Sequence, residues 1–162
     1  MPRYWRVLFA AVLLGCGHSG TQVRREEGVN FSHYRRIGVP SFNDRRGQGQ
    51  AIAEGIENTL QQLMYEPVDR KALEQLLLKY KPDQEFGLGI EAMESIRNQT
   101  HADALVLGRM APDWSAAAIT MVETSTGDPI LHAVLKPKGK KKSFAGPDEV
   151  VKETLRVITS PD

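Results

Sequence analysis

The sequence predicts an α/β (α+β) fold in which one mixed sheet of four or five strands is flanked by about four helices. Two features of the pattern support this prediction. Short apolar runs of strand-like composition alternate along the chain with segments in which apolar residues recur every three or four positions. Two of the later runs are joined by a short connection that contains glycine, which is typical of a hairpin. This order favours helices packed on a mixed sheet.

The first half of the domain is predicted to contain two strands and two helices. Residues 36–42 form the first strand, and a helix over about residues 48–64 follows, in which Ile52, Ile56, Leu60 and Leu63 share one face. Pro67 weakens the next strand, at residues 66–69, to an edge strand or a strand start. Asp69 then caps a helix in which Leu73, Leu76, Leu77 and Tyr80 fall at i, i+3, i+4 and i+7, and Pro82 stops it.

The second half is predicted to contain two helices around three strands. The third helix follows the loop 83–89 and runs through Ile90, Met93 and Ile96. Residues 104–108 are continuously apolar, which indicates a central strand covered on both faces. Residues 116–123 and 129–135 form the antiparallel hairpin. The last helix opens at Pro147, with Asp148 and Glu149 in its first turn, and buries Val151, Leu155 and Ile158.

The N-terminus has the layout of an export signal. Arg3 and Arg6 precede an apolar run at residues 7–14, which is much shorter than the ~20 residues that a membrane-spanning helix needs. The run ends in Leu-Leu-Gly-Cys at residues 13–16, which resembles a lipobox. We therefore predict that residues 1–15 are a signal peptide, and that Cys16 carries palmitate-type acyl chains that anchor the protein.

An ordinary signal peptide, cleaved elsewhere, is the alternative interpretation of Cys16. No Ala-x-Ala-type cleavage site follows it, and the chain has no second cysteine with which it could form an intramolecular disulfide. Gly17 stands where inner-membrane retention signals carry an aspartate, which favours the outer membrane facing the periplasm as the location.

The mature chain is expected to be a single domain on a short tether. Removing residues 1–15 from 162 leaves 147 residues, the size of one domain. Residues 16–33 are predicted to be the lipidated cysteine and a flexible tether because they are polar and lack a helical or strand period. Residues 34–160 form the domain. The formal charge of +1 includes Arg3 and Arg6, so the mature chain is near −1, and no nucleic-acid partner is expected.

Four stretches in this order carry a resemblance to a known group of proteins: residues 36–43, 67–77, 102–108 and 119–127. Over about residues 34–158 the chain resembles the periplasmic α/β domain of the curli-secretion lipoprotein, the penicillin-binding-protein activator lipoprotein, flagellar envelope lipoproteins and the N-terminal domain of TolB. The resemblance implies assembly or regulation at the envelope, without catalysis. No spare amphipathic strands remain to line a pore, and the short tether argues against a peptidoglycan-synthase activator.

Candidate binding residues lie in three places. Residues 44–49 follow a strand and precede a helix, so that free backbone amides with Arg45 and Arg46 could hold an anion; a plain solvated turn is the alternative. Lys140, Lys141 and Lys142 belong to a lysine-rich run that could meet anionic lipid headgroups or simply keep a loop soluble. Trp114 is either a partner anchor or an edge-of-core residue.

The sequence indicates no catalytic or metal site and no cofactor. The four histidines, His18, His33, His101 and His132, show no paired metal-ligand spacing. Glu91 and Glu94 could share a helix face, but nothing else converges on them. The predicted function is a membrane-anchored, non-catalytic adaptor or assembly factor for an envelope protein complex, with oligomerisation open. The alternatives are a synthase activator, a cell-wall-binding protein and a cell-wall hydrolase.

Overall fold

The computed structural model describes residues 20–80 and 88–159. Within these ranges the strands are β1 (Gln22–Arg25), β2 (Ile37–Gly38), β3 (Ala104–Met110), β4 (Ala117–Glu123) and β5 (Pro129–Leu135). The helices are α1 (Gly49–Gln62), α2 (Arg70–Tyr80), α3 (Ile90–Thr100) and α4 (Pro147–Thr159), and a 3₁₀ turn covers Phe31–His33. The sheet order is β1-β5-β4-β3-β2. Since β2 and β3 are parallel and the other pairs antiparallel, the predicted mixed α+β sheet is confirmed.

The sheet separates two apolar clusters. On one face, α1 and α4 cover the sheet, and Ile56 and Val150 join the same cluster as Val106 and Ile119. On the other face, α2 and α3 supply the cluster that contains Leu105. Ala104, Leu105 and Val106 are fully buried, because alternate residues of β3 point to opposite, covered faces. The predicted central strand is therefore confirmed.

Local signals explain where several elements begin and turn. The backbone N–H of Ala72 donates to Asp69 Oδ1 at 3.1 Å, so Asp69 caps α2 as predicted. Between β4 and β5, Gly127 adopts a left-handed φ of 79°, and its N–H donates to the Glu123 carbonyl at 2.9 Å. The connection therefore closes the predicted antiparallel hairpin.

The prediction of a flexible tether as far as residue 33 is wrong between Gln22 and Arg25. These residues form β1, the edge strand that pairs antiparallel with β5. Gln22, Val23 and Arg24 are exposed, so the strand lacks the apolar alternation by which strands are recognised. Its backbone hydrogen bonds hold it, together with a 2.7 Å bond from the Arg25 guanidinium to the Val157 carbonyl of α4. A tether can therefore extend no further than residue 21.

Other predicted elements are shorter or more exposed than expected. The first strand is reduced to Ile37–Gly38, and the predicted strand at residues 66–69 is only a single bridge between Glu66 and Arg36, because Pro67 has no N–H with which to continue a ladder. Leu63 and Ile90, which belong to the predicted apolar spacing of their helices, are exposed at helix ends. Pro82 and residues 83–87 lie outside the described residues. No helix among the described residues is long and apolar enough to span a bilayer.

Candidate functional site

The topology brings the predicted binding residues to one end of the sheet. β2, β3 and β5 point the same way, while β1 and β4 run against them. The C-terminal ends of β3 and β5 therefore lie beside the first residues of β1 and β4. We call this the lysine end and define it by Gln22, Met110, Ala117 and Leu135. The opposite end, defined by Ala104, Glu123 and Pro129, we call the cleft end.

Asp44, Arg46 and Trp114 form a cluster at the lysine end. The Trp114 indole N–H donates to Asp44 Oδ1 at 2.8 Å. The Arg46 guanidinium carbon lies 5.0 Å from the Trp114 ring centroid, within the range of a cation–π interaction. An Arg46 nitrogen also donates to the Asp113 carbonyl at 3.2 Å. The cluster ties the turn after Asn43 to the β3–β4 connection.

At residues 44–49 the Asp44 carboxylate already occupies backbone amides that an anion would need, which favours the plain-turn interpretation of this segment. The carboxylate accepts from the N–H of Arg46 at 3.1 Å and from that of Gln48 at 2.8 Å. Burial opposes ionisation of Asp44, but these two hydrogen bonds and the bond from Trp114 outweigh it and lower its pKa. A bound anion would compete with a carboxylate built into the turn.

Trp114 belongs to the core, so the interpretation as an exposed partner anchor is wrong. The residue is 2 % exposed and joins the cluster beneath α1 and α4. Its φ of 63° is left-handed, which is unusual and strained for a bulky side chain. Burial of the indole and its bond to Asp44 compensate for that strain. The sequence interpretation of an edge-of-core residue therefore describes Trp114.

The lysine-rich loop is held at its base and exposed at its tip. The Phe144 N–H donates to the Trp114 carbonyl at 2.9 Å. Lys138 pairs with Glu153 at 2.8 Å, and Lys141 lies 3.5 Å from Glu149. Lys140 and Lys142 are exposed and form no ion pair with any residue of the described ranges. The same is true of Arg45, so these three cations remain open to a partner or a membrane.

Glu153 is a site residue that the sequence interpretation missed. Its carboxylate is 2 % exposed and pairs with Lys138 at 2.8 Å and with Arg156 at 3.0 Å. Burial opposes ionisation, but the bonds from Lys138 and Arg156 outweigh it and lower the pKa. The signal was present: Glu153 lies three residues after Val150 and four before Val157, on the apolar face of α4. A charged side chain on the apolar face of a helix needs a partner of opposite charge.

We expect Glu153→Gln to lower the stability of the fold and also to make that stability less dependent on pH in the acid range. A carboxyl whose pKa is lowered by folding contributes stability above its ordinary pKa of 4.5, and this is lost as the pH falls through the lower value of the folded state. At neutral pH the free energy of unfolding of the variant should be about 1–3 kcal/mol lower than that of wild type. When the pH falls below 4.5, the variant should lose less of its remaining stability than wild type loses. Urea denaturation at several pH values measures both.

Glu57→Gln is the control for this experiment. Burial raises the pKa of Glu57, so its contribution to stability increases as the pH falls, opposite in sign to that of Glu153. Glu57→Gln should therefore not make the loss of stability in acid shallower. If the stability of wild type and that of Glu153→Gln fell equally steeply with decreasing pH, the lowered pKa of Glu153 would be contradicted.

The remaining predicted residues are dispersed or lie outside the described ranges. Cys16 and His18 fall outside them. His132 contacts Thr120 at 3.1 Å on an open part of the sheet, whereas His33 and His101 line a cleft at the cleft end. Within residues 20–80 and 88–159, no group of three His, Cys, Asp or Glu side chains is arranged to hold a metal ion.

The described geometry defines a class of domain: a five-stranded mixed sheet with two helices on each face. No known family and no curated protein matches the chain. Among solved structures, a dodecamer of a point variant of PelC from Paraburkholderia phytofirmans is similar, with a TM-score of 0.56 and 14% sequence identity. The match covers 87% of this chain and 99% of that one. At this identity the likeness shows that the two proteins share a fold.

Two lipoproteins match more weakly. E. coli LpoB matches with a TM-score of 0.44 and 16% identity over 63% of this chain and 57% of that one. Lipoprotein GNA1162 from Neisseria meningitidis matches with a TM-score of 0.45 and 13% identity over 79% of this chain and 99% of that one. The conclusion that this chain shares a fold with a solved structure therefore depends on the match to PelC.

Proposed function

We propose that this chain is a lipid-anchored lipoprotein of the bacterial envelope that acts as a non-catalytic adaptor, with its lysine end against the membrane. The observation that carries the proposal is the position of β1. Gln22, its first residue, pairs with Val134, two residues before Lys136. The strand that follows the lipobox thus enters the sheet beside the lysine-rich loop.

Chain length then limits how far this end can be from the lipid. Gln22 is six residues after Cys16, and six extended residues reach at most roughly 20 Å. Lys140, Lys142 and Arg45 lie at this end, where each cation near an anionic surface contributes up to ~1 kcal/mol. The same limit weighs against the synthase-activator alternative, because the domain cannot reach far from its membrane. Outer-membrane location, facing the periplasm, remains our proposal from Gly17.

Self-association is the specific alternative to a different protein partner. PelC, which shares the fold, forms a dodecamer. In this chain the edge strand β1 and the exposed face around His132 and Thr120 offer backbone and side-chain groups for a second copy. We include oligomerisation in the proposal on this basis.

Replacing the lipidated residue tests the proposal. We expect Cys16→Ser to leave the membrane fraction, because the variant lacks the thiol that carries lipid, and to lose the crosslinked partner that the wild type captures in cells. The measurement is in-cell crosslinking of tagged wild type and Cys16→Ser, followed by membrane fractionation and identification of the products. A ladder of multiples of the chain's own mass would indicate self-association.

Two outcomes would overturn the proposal. One is a Cys16→Ser variant that fractionates like wild type, and the other is a wild type that captures no protein. Incubating the purified protein with peptidoglycan separates the remaining alternatives. Release of soluble fragments would indicate a hydrolase, and co-sedimentation without release would indicate a cell-wall-binding protein.

A further inference from the structure

The cleft end of the sheet carries a cationic groove that none of the functions above uses. The groove has a volume of about 490 Å³ and is lined by residues from separate parts of the chain. Arg35 and Arg36 precede β2, Arg97 and His101 lie at the end of α3, and His33 ends the 3₁₀ turn. Only the fold brings these residues together.

The two carboxylates in the groove are already satisfied by the protein itself. Asp103 Oδ2 accepts from the backbone N–H of Arg35 at 2.9 Å and from that of Arg36 at 2.8 Å. Glu66 pairs with the Arg36 guanidinium. Neither acid forms an ion pair with Arg35 or Arg97, and the three arginines outnumber the two carboxylates in the groove.

Arg35 and Arg97 remain as two exposed cations facing one groove. Neither forms an ion pair with any residue in the described part of the chain. Guanidinium groups bind carboxylates through paired, charge-assisted hydrogen bonds. Two of them beside one groove favour a ligand that carries more than one carboxylate.

Two exposed apolar side chains lie at the same end. Met64 is 90 % exposed and Leu63 is 50 % exposed, and they lie two and three residues before Glu66, which lines the groove. Met64 adopts a left-handed φ of 69°, where the chain leaves α1. A methionine side chain is flexible and adapts to varied apolar surfaces. A partner with both acidic and apolar side chains would complement this end.

We propose that this groove docks an acidic peptide segment of a partner protein, with carboxylates on Arg35 and Arg97 and an apolar side chain on Met64. The existence of a partner rests on the proposed function, whereas binding by the groove is measured independently of it. The groove lies at the end of the sheet opposite Gln22. Lipid headgroups of the anchoring membrane would therefore meet the lysine end first.

Peptide binding by the lipidated full chain in neutral detergent tests the inference. The probe is a fluorescent peptide of alternating Glu and Leu, and the matched probe has Gln in place of Glu. The double variant Arg35→Gln/Arg97→Gln should weaken binding of the acidic probe by about tenfold or more. Lys140→Gln/Lys142→Gln, at the lysine end, should bind like wild type. Rising salt concentration should weaken wild-type binding because the pairs are exposed.

Several outcomes would overturn the inference: equal binding by the double variant, equal binding of the Gln probe, or complete displacement of the peptide by inorganic phosphate or by vesicles of anionic lipid. Because Arg35 and Arg97 are exposed, both should be replaceable without unfolding, and thermal denaturation checks this. Groove binding without an in-cell partner would overturn only the adaptor function. An in-cell partner whose capture survives the double variant would overturn only the groove.

Discussion

Gly49→Ala is expected to destabilise the domain by more than about 4 kcal/mol, a large fraction of the ~5–15 kcal/mol that holds a domain folded. Gly49 is the buried first residue of α1. A Cβ at this position would overlap the Phe42 carbonyl oxygen and lie 2.9 Å from its carbon. Both are backbone atoms, so no rotamer change relieves the clash. The variant is expected to unfold at much lower denaturant concentration, or not to fold.

The Phe42 segment cannot retreat, which is why the expected effect is so large. The Phe42 N–H donates to the Gly49 carbonyl at 3.1 Å. Its ring lies so close to Gly108 that a Cβ there would overlap the ring. Moving Phe42 away from the added methyl group would therefore break its packing against β3 and its bond to α1.

Gly146→Ala is the matched control for Gly49→Ala. No atom of the described residues lies within 4 Å of a Cβ at Gly146, and its φ is not left-handed. We expect a change of no more than about 1 kcal/mol, in the stabilising direction. Urea denaturation followed by circular dichroism compares the three proteins. Equal midpoints for Gly49→Ala and wild type would contradict the predicted close approach.

Trp114→Ala is expected to cost about 3–5 kcal/mol, because it removes a large buried side chain and leaves the strained backbone without its compensating contacts. Trp114→Phe keeps an aromatic ring but loses the indole N–H that donates to Asp44, so we expect a loss of about 2 kcal/mol. Leu78→Ala, at a surface position that is 77 % exposed, should change stability by less than about 0.5 kcal/mol. Denaturant unfolding measures all three.

A second measurement separates the role of Trp114 in the site from its role in the core. The Trp114 carbonyl accepts from Phe144 at the base of the lysine-rich loop. Trp114→Ala keeps this carbonyl but removes the buried side chain that fixes its position. We therefore expect faster tryptic cleavage after Lys140 or Lys142 at denaturant concentrations where the variant is still folded. Unchanged cleavage would mean that the contacts with Glu153 and Glu149 hold the loop without the Trp114 side chain.

Much of the helical layer was predictable because its signals are local. The spacing of Ile52, Ile56 and Leu60 indicates α1, and Asp69 indicates where α2 begins. Pro147 with Asp148 indicates the start of α4. The hairpin was predictable for the same reason, since Gly127 supplies the left-handed turn between two apolar runs.

The candidate site was predicted only in part. Arg45 and the lysine-rich loop lie at the same end of the sheet, so they can face the same partner or membrane surface. The edge-of-core interpretation describes Trp114, but its hydrogen bond to Asp44 was not predicted, because the two residues lie 70 positions apart in the chain. Arg35, Arg97 and the groove between them were not predicted, since they are far apart in the chain.

Local sequence was enough to specify the helices, the hairpin, the central strand and the lipobox-like motif, because each depends on residues within a few positions of one another. The three-dimensional arrangement was needed to show that polar β1 joins the edge of the sheet and that its first residue, Gln22, lies beside the lysine-rich loop. It was also needed to show that Arg35 and Arg97, unpaired among the described residues, share one groove. Strand pairing uses backbone groups that are common to all residues, so the choice of edge and register depends on partners that are distant in the chain.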